Sequence, residues 1–135
     1  MGKSKNTLTI KKWYGEESLE LEVSGGYMIV SRSLNGKQSN KLSVSRKSDK
    51  HSTRIGMMAY LRRSKPGYET MGFPEITLTI DKYADDGQFL SRKVIVFSPV
   101  GVDSLTPDNK TDETIEFAFG AMSEMTVSRN GVTFN

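Results

Sequence analysis

The chain has 135 residues, no cysteine and a formal net charge of +3. That is the length of one ordinary domain, expected to span 1–135. The absence of thiols removes disulfides, thiolate metal sites and cysteine nucleophiles together. No window approaches the ~18 consecutive apolar residues of a membrane span. The basic start, Met1 to Lys5, runs into Thr7-Leu8-Thr9-Ile10, which is no signal-peptide core. No membrane insertion is expected, and the expected compartment is the cytoplasm of the producing cell.

The charge is unevenly placed along the chain. Residues 1–65 hold fourteen Lys/Arg against five Asp/Glu, a net +9, and residues 66–135 hold five against eleven, a net −6. Folding mixes the two halves over one surface, or a basic face of one copy meets an acidic face of the next, since complementary potentials steer association. A nucleic-acid partner is a third reading, but the basic residues are interleaved with Ser and Asn and lack a stacking aromatic array.

Period-two alternation, the mark of a strand with one buried face, dominates the chain. It begins in Ser18-Leu19-Glu20-Leu21-Glu22-Val23 and returns after Gly25-Gly26 in Lys41-Leu42-Ser43-Val44-Ser45-Arg46. Between them Ser33–Asn40 is polar, with Asn35-Gly36 at its centre. The next segment, Thr53–Arg63, breaks the alternation: Ile55, Met58 and Ala59 follow helical spacing. Asp49 or Ser52 can cap it, because a short oxygen-bearing side chain bonds the free amides of a first turn. Pro66-Gly67 stops it, and Gly56 costs about 1 kcal/mol of helix propensity, so the helix needs tertiary packing.

Alternation resumes in Ile76–Tyr83, turns at Asp85-Asp86-Gly87 and continues through Phe89–Phe97 as a hairpin. Lys93-Val94-Ile95-Val96-Phe97 is nearly continuous, as in a strand covered on both faces. Thr114–Phe119 alternates again, and Ala121–Phe134 forms a last hairpin around Asn130-Gly131. The expected fold is mainly β, two packed antiparallel sheets in a β-barrel-like sandwich with one short α-helix.

No catalytic constellation appears. The single histidine, His51, lies among charges beside the helix cap, with Asp49 as its only near carboxylate, and reads as a solvated or capping residue. One histidine and no cysteine build no conventional zinc site. Asp81, Asp85 and Asp86 lack the ligand spacing of an EF-hand loop. Gly25-Gly26 precedes Tyr27-Met28-Ile29-Val30, and no Gly-Lys-Ser/Thr follows it. Neither an enzyme activity nor a cofactor is expected.

Taken in order, three passages resemble one family. They are Asp49-Lys50-His51-Ser52 between a strand and the helix, Val102-Asp103-Ser104-Leu105 after a strand pair, and Glu113–Phe119 near the end. This order is similar to that of the tube proteins of contractile injection systems, which are the hemolysin-coregulated tube protein of type VI secretion and the phage tail-tube proteins. The likeness runs from Lys41 to Val127. It departs where the secretion branch often carries a proline after the Ser/Thr, since Thr53-Arg54 stands there.

The resemblance implies hexameric rings stacked into a tube, with sheath, baseplate or spike proteins as partners and cargo or DNA passing through the lumen. It implies a tube that ends in a virion tail or outside the cell. It also implies that an extended loop near Ser33–Asn40 reaches a neighbouring subunit. On that basis the expected ring and stacking residues are Leu34, Lys37, Lys41, Arg46 and Lys47, facing Asp108 and Asp112 of another copy. The alternative is a monomeric β-sandwich binding module that takes a glycan or protein ligand through Trp13 and Tyr14.

Overall fold

The computed structural model describes residues 2–64, 67, 72–128 and 131–134. Along the chain lie β1 (Lys3–Tyr14), β2 (Glu17–Glu22), β3 (Gly26–Leu34), β4 (Lys37–Lys47), α1 (Ser52–Ser64), β5 (Ile76–Tyr83), β6 (Phe89–Pro107), β7 (Asp112–Ser128) and β8 (Gly131–Phe134). All strand pairs are antiparallel. The pairing order is β2-β1-β5-β6-β7-β4-β3, with β8 beside β7.

Two layers arise from this single ribbon because β6 and β7 are long enough to serve both. The first part of β6 pairs with β5, Ile76 opposite Phe97 and Lys82 opposite Ser91. Its last part, from Val100 to Pro107, pairs with Phe119 to Glu113 of β7. That same start of β7 pairs with β4, Lys41 opposite Ala118 and Lys47 opposite Asp112. The first layer is therefore β2-β1-β5-β6-β7-β8, and the second is β3-β4-β7-β6. A cis Ser98-Pro99 bond lies where β6 passes between them.

The expected alternation explains what lies between the layers. Leu8 and Ile10 of β1, Leu42 and Val44 of β4, Ile76 and Leu78 of β5, Ile95 and Phe97 of β6 and Ile115 and Phe117 of β7 are buried in one continuous cluster. The rings of Phe97 and Phe119 meet edge to face across the junction, 4.8 Å between centroids. At about 25 cal/mol per Å² of apolar surface removed from water, such a cluster is the main favourable contribution to folding. Val94 and Val96, expected under a second cover, are only half-buried within one chain.

Helix α1 closes one side of this core. Ile55 and Ala59 are buried and Met58 packs against the cluster, as their spacing predicts. Its first turn is held by Asp49, whose Oδ1 accepts the His51 N–H at 2.9 Å, while Ser52 Oγ accepts the Asp49 N–H at 3.1 Å. The expected stop at Pro66 lies outside the described residues, as does Asn130 of the last hairpin turn.

The first strand, β1, carries no strand assignment in the sequence reading, yet it is paired on both sides, with β2 and with β5. Leu8 and Ile10 lie opposite Leu78 and Ile76 on one side and Leu21 and Leu19 on the other. Its short Thr-Leu-Thr-Ile alternation is diluted by lysines, and the register against β2 shifts between Ile10 and Tyr14. Lys12, with φ of 56°, sits in that irregularity.

Candidate assembly surface

The segment Ser33–Asn40 is a hairpin turn between β3 and β4, with Leu34 opposite Lys37. Asn35 has φ of 53° and Gly36 of 76°. Positive φ at both central residues is what a tight two-residue hairpin needs for its twist to match the strands, which is why Asn-Gly stands there. Residues 31–39 are all exposed. From Asn40 outward the two strands pair only with each other, so the hairpin projects past the layer it belongs to.

The seven residues expected at an interface fall into three places along β4 and its neighbours. Leu34, which is 73% exposed, and Lys37 share the tip. Lys41 sits mid-strand, where its Nζ contacts Asp103 and, at 3.9 Å, Glu116. Lys47 is at the base as the register partner of Asp112. Asp108 is close by, accepting a 2.7 Å hydrogen bond from Thr114. Tip and base are ten residues apart on β4, about 34 Å along an extended strand.

Arg46 is turned inward and only 3% exposed. Its guanidinium bonds Glu113 Oε2 at 2.7 Å, itself buried, and also reaches Asp49. Burial raises the Asp49 carboxyl, but the hydrogen bonds from Arg46 and the His51 N–H and their positive charges outweigh it, holding the carboxyl below its ordinary value. Arg46 thus ties β4 and β7 to the cap of α1. Sequence reasoning treated it as a surface cation, although a signal was present. Arg46 is in phase with Leu42 and Val44, and Glu113 with Ile115 and Phe117, so two opposite charges occupy inward rows of paired strands.

Much of the charge asymmetry is consumed within the chain. Lys11 pairs with Glu75 at 2.5 Å, Lys41 and Arg62 both contact Asp103, and Arg46 holds Glu113. Each joins a residue of the basic half to one of the acidic half.

Trp13, the anchor of the alternative binding reading, is covered from three sides. His51 meets it edge to face at 5.8 Å, Phe73 lies 5.9 Å away, and the Arg54 guanidinium stands over its ring at 5.1 Å. His51 is therefore half-buried against an aromatic ring, and its backbone takes part in the cap of α1. Asp81 is engaged by Arg92 through two bonds of 2.6 and 3.1 Å. Asp86 accepts the Gln88 N–H inside the expected hairpin turn. Among the described residues no three His, Cys, Asp or Glu side chains cluster as metal ligands, and no helix is long and apolar enough to cross a membrane.

A curled β-ribbon in two layers, flanked by one helix and extended by a projecting hairpin, is the fold of the Hcp proteins of type VI secretion. Hcp1 from Salmonella typhimurium superposes with a TM-score of 0.65 at 14% identity, over 97% of this chain and 91% of its own. A type six secretion system protein gives 0.62 at 19% identity over 98% and 90%. The secreted protein Hcp3 from Pseudomonas aeruginosa gives 0.60 at 7% over 98% and 97%. No protein-family model matches the sequence, and no curated protein does. The resemblance read from three short passages therefore extends, as a fold, over nearly the whole chain.

Proposed function

We propose that this chain is a structural subunit that assembles into hexameric rings stacked as the inner tube of a contractile injection apparatus. The observation that carries this reading is the shared fold over 97–98% of this chain and 90–97% of three type VI secretion proteins. In this role the chain works through surfaces and not through a catalytic group. Its partners are copies of itself and the sheath, baseplate or spike proteins of the apparatus, with cargo or DNA in the lumen.

The geometry suggests how rings stack. The projecting tip carries Lys37 and Leu34, and Asp108 and Asp112 lie beside Lys47 at the opposite end of β4, on the β6–β7 turn and the start of β7. Tip against base between successive rings sets a cation and an apolar side chain against carboxylates. Lys41 and Arg46, paired internally, support the hairpin and the base of that contact, while Lys47 borders it.

Negative-stain microscopy and sedimentation of the purified chain test this reading. Annuli with six-fold averages and a species of about six subunit masses are the expected result. A strictly monomeric species at tens of micromolar, with no annulus in any field, overturns it.

A further inference from the structure

The outer half of the β3–β4 hairpin has little of the fold behind it. Pairing of β4 with β7 stops at Lys41, and Asn40 is tied to the layer by donating its side-chain N–H to Gly120 O at 3.3 Å. Beyond them run two strands, Ser31 to Leu34 against Lys37 to Asn40, with residues 31–39 exposed. A two-stranded ribbon with no layer beneath it is marginally stable in water. This tip therefore opens at a far lower free energy than the core. Asn35 and Gly36 stand beyond the last register pair, Leu34 with Lys37, and Gly36 has no side chain to hinder its backbone nitrogen.

We propose that Asn35 is a self-modifying site, converted from amide to carboxylate in free subunits and protected in assembled tubes. The step uses only hydroxide and water. Hydroxide takes the Gly36 N–H proton, and the nitrogen attacks the side-chain carbonyl carbon of Asn35. A new C–N bond forms as the bond to the side-chain amide nitrogen breaks, and that nitrogen takes a proton from water and leaves as ammonia. Water then adds to either carbonyl of the cyclic succinimide and opens it, giving aspartate or isoaspartate. Water is consumed and ammonia released, with no change of oxidation state. In the closed turn Asn35 holds a left-handed conformation, φ 53°, which it has to leave before the ring can close. The chemistry thus waits on opening of the hairpin, and any contact that clamps the tip slows it.

The consequence rests on the tube reading above and concerns its axial contact. A carboxylate at residue 35 stands two residues from Lys37 on the tip set against Asp108 and Asp112. Isoaspartate also lengthens the backbone of a turn whose length fixes the strand register. Both changes work against stacking. Copies left unassembled lose their competence with time, while copies built into a tube keep theirs.

The chain is incubated at mildly alkaline pH as dilute subunits, as tubes and unfolded in urea, then digested with trypsin. Residue 35 falls in the peptide Ser33–Lys37, apart from Asn130-Gly131, the other Asn-Gly of the sequence. From dilute protein this peptide is expected to gain the mass of amide-to-acid conversion, faster as pH rises, and to become a substrate for an isoaspartyl methyltransferase. In tubes conversion is expected to be about tenfold slower, the factor that about 1.4 kcal/mol of added resistance to opening gives. Aged protein and fresh Asn35→Asp should form shorter tubes than fresh protein. Aged Asn35→Gly, which keeps a turn of the same type without the amide, should not. Dilute folded protein that stays unconverted while the urea-unfolded chain converts overturns the site. Equal rates in dilute protein and tubes, or aged protein that assembles as well as fresh, overturn the link to assembly. Fresh protein without annuli overturns the tube reading and that link together, and the peptide masses then decide the site alone.

Discussion

Arg46 and Glu113 show how one residue pair can secure the fold and yet contribute little net stability. Both are nearly inaccessible, and taking two ions out of water costs several kcal/mol each before their attraction returns it. Arg46 Nε has no hydrogen-bond partner among the protein atoms, so the guanidinium is not fully compensated. Removing one member leaves a buried charge alone. Arg46→Met or Glu113→Leu should each lower unfolding free energy by about 3–5 kcal/mol in urea titrations. The double variant should recover most of that loss, because an apolar pair of similar volume is often neutral or better. A double variant as unstable as the worse single one would show that the charges themselves are required. The expected difference between α1 and the β4–β7 pair is in how tightly they are joined, since only the charged form reaches Asp49.

At the scale of elements, α1 and the strands depend on opposite sources of stability. The strands carry their own alternation, whereas α1 contains Gly56 and a weak apolar stripe and is held by Ile55 and Ala59. A Cβ built on Gly56 meets nothing within 4 Å, and its φ is not positive. Gly56→Ala should therefore stabilise the chain by about 0.5–1 kcal/mol through the helix backbone alone, seen as a rise in thermal midpoint; a fall would mean that an unseen contact needs the space. Most elements were legible because a single rule marks them. Leu42 and Val44, Ile76 to Ile80, and Ile115 to Phe119 alternate cleanly, and Asn35-Gly36 names its turn. What escaped did so for physical reasons. In β1 only Leu8 and Ile10 mark the buried row before lysines intervene, and in β3 the inward row, Tyr27 and Ile29, is itself half-open. The long β6 and β7 were read as separate pieces because Pro99 and Gly120 stand at their centres, where the ribbon passes from one layer to the other. The interface residues were the least legible. Local sequence shows that Arg46 is a cation, but only the pairing of β4 with β7 shows that Glu113 already holds it.

For the whole molecule, lateral and axial contacts should answer differently to salt. Within a ring of the proposed tube, contact through the exposed apolar side chains of β3, Tyr27 and Met28, would not depend on mobile ions. The proposed axial contact would set Lys37 at the hairpin tip against Asp108 and Asp112 at the base, of which Lys37 and Asp108 are exposed and Asp112 half-buried. Exposed charges are screened beyond about 8–10 Å at physiological ionic strength and beyond about 3 Å at 1 M salt. The internal pairs Lys41–Asp103 and Arg46–Glu113 remain in contact in either condition, so they neither drive nor oppose the change. Raising salt from 0.05 to 1 M, as an order-of-magnitude span of screening, should therefore shorten tubes while leaving single rings intact. Tube-length distributions and the ring-to-monomer ratio, taken from the same micrographs, read the two contacts separately. Lys37→Glu should act like high salt, shortening tubes at low ionic strength, because it places a like charge against the base. Rings that fall apart while tube fragments keep their length would reverse the assignment of the two surfaces.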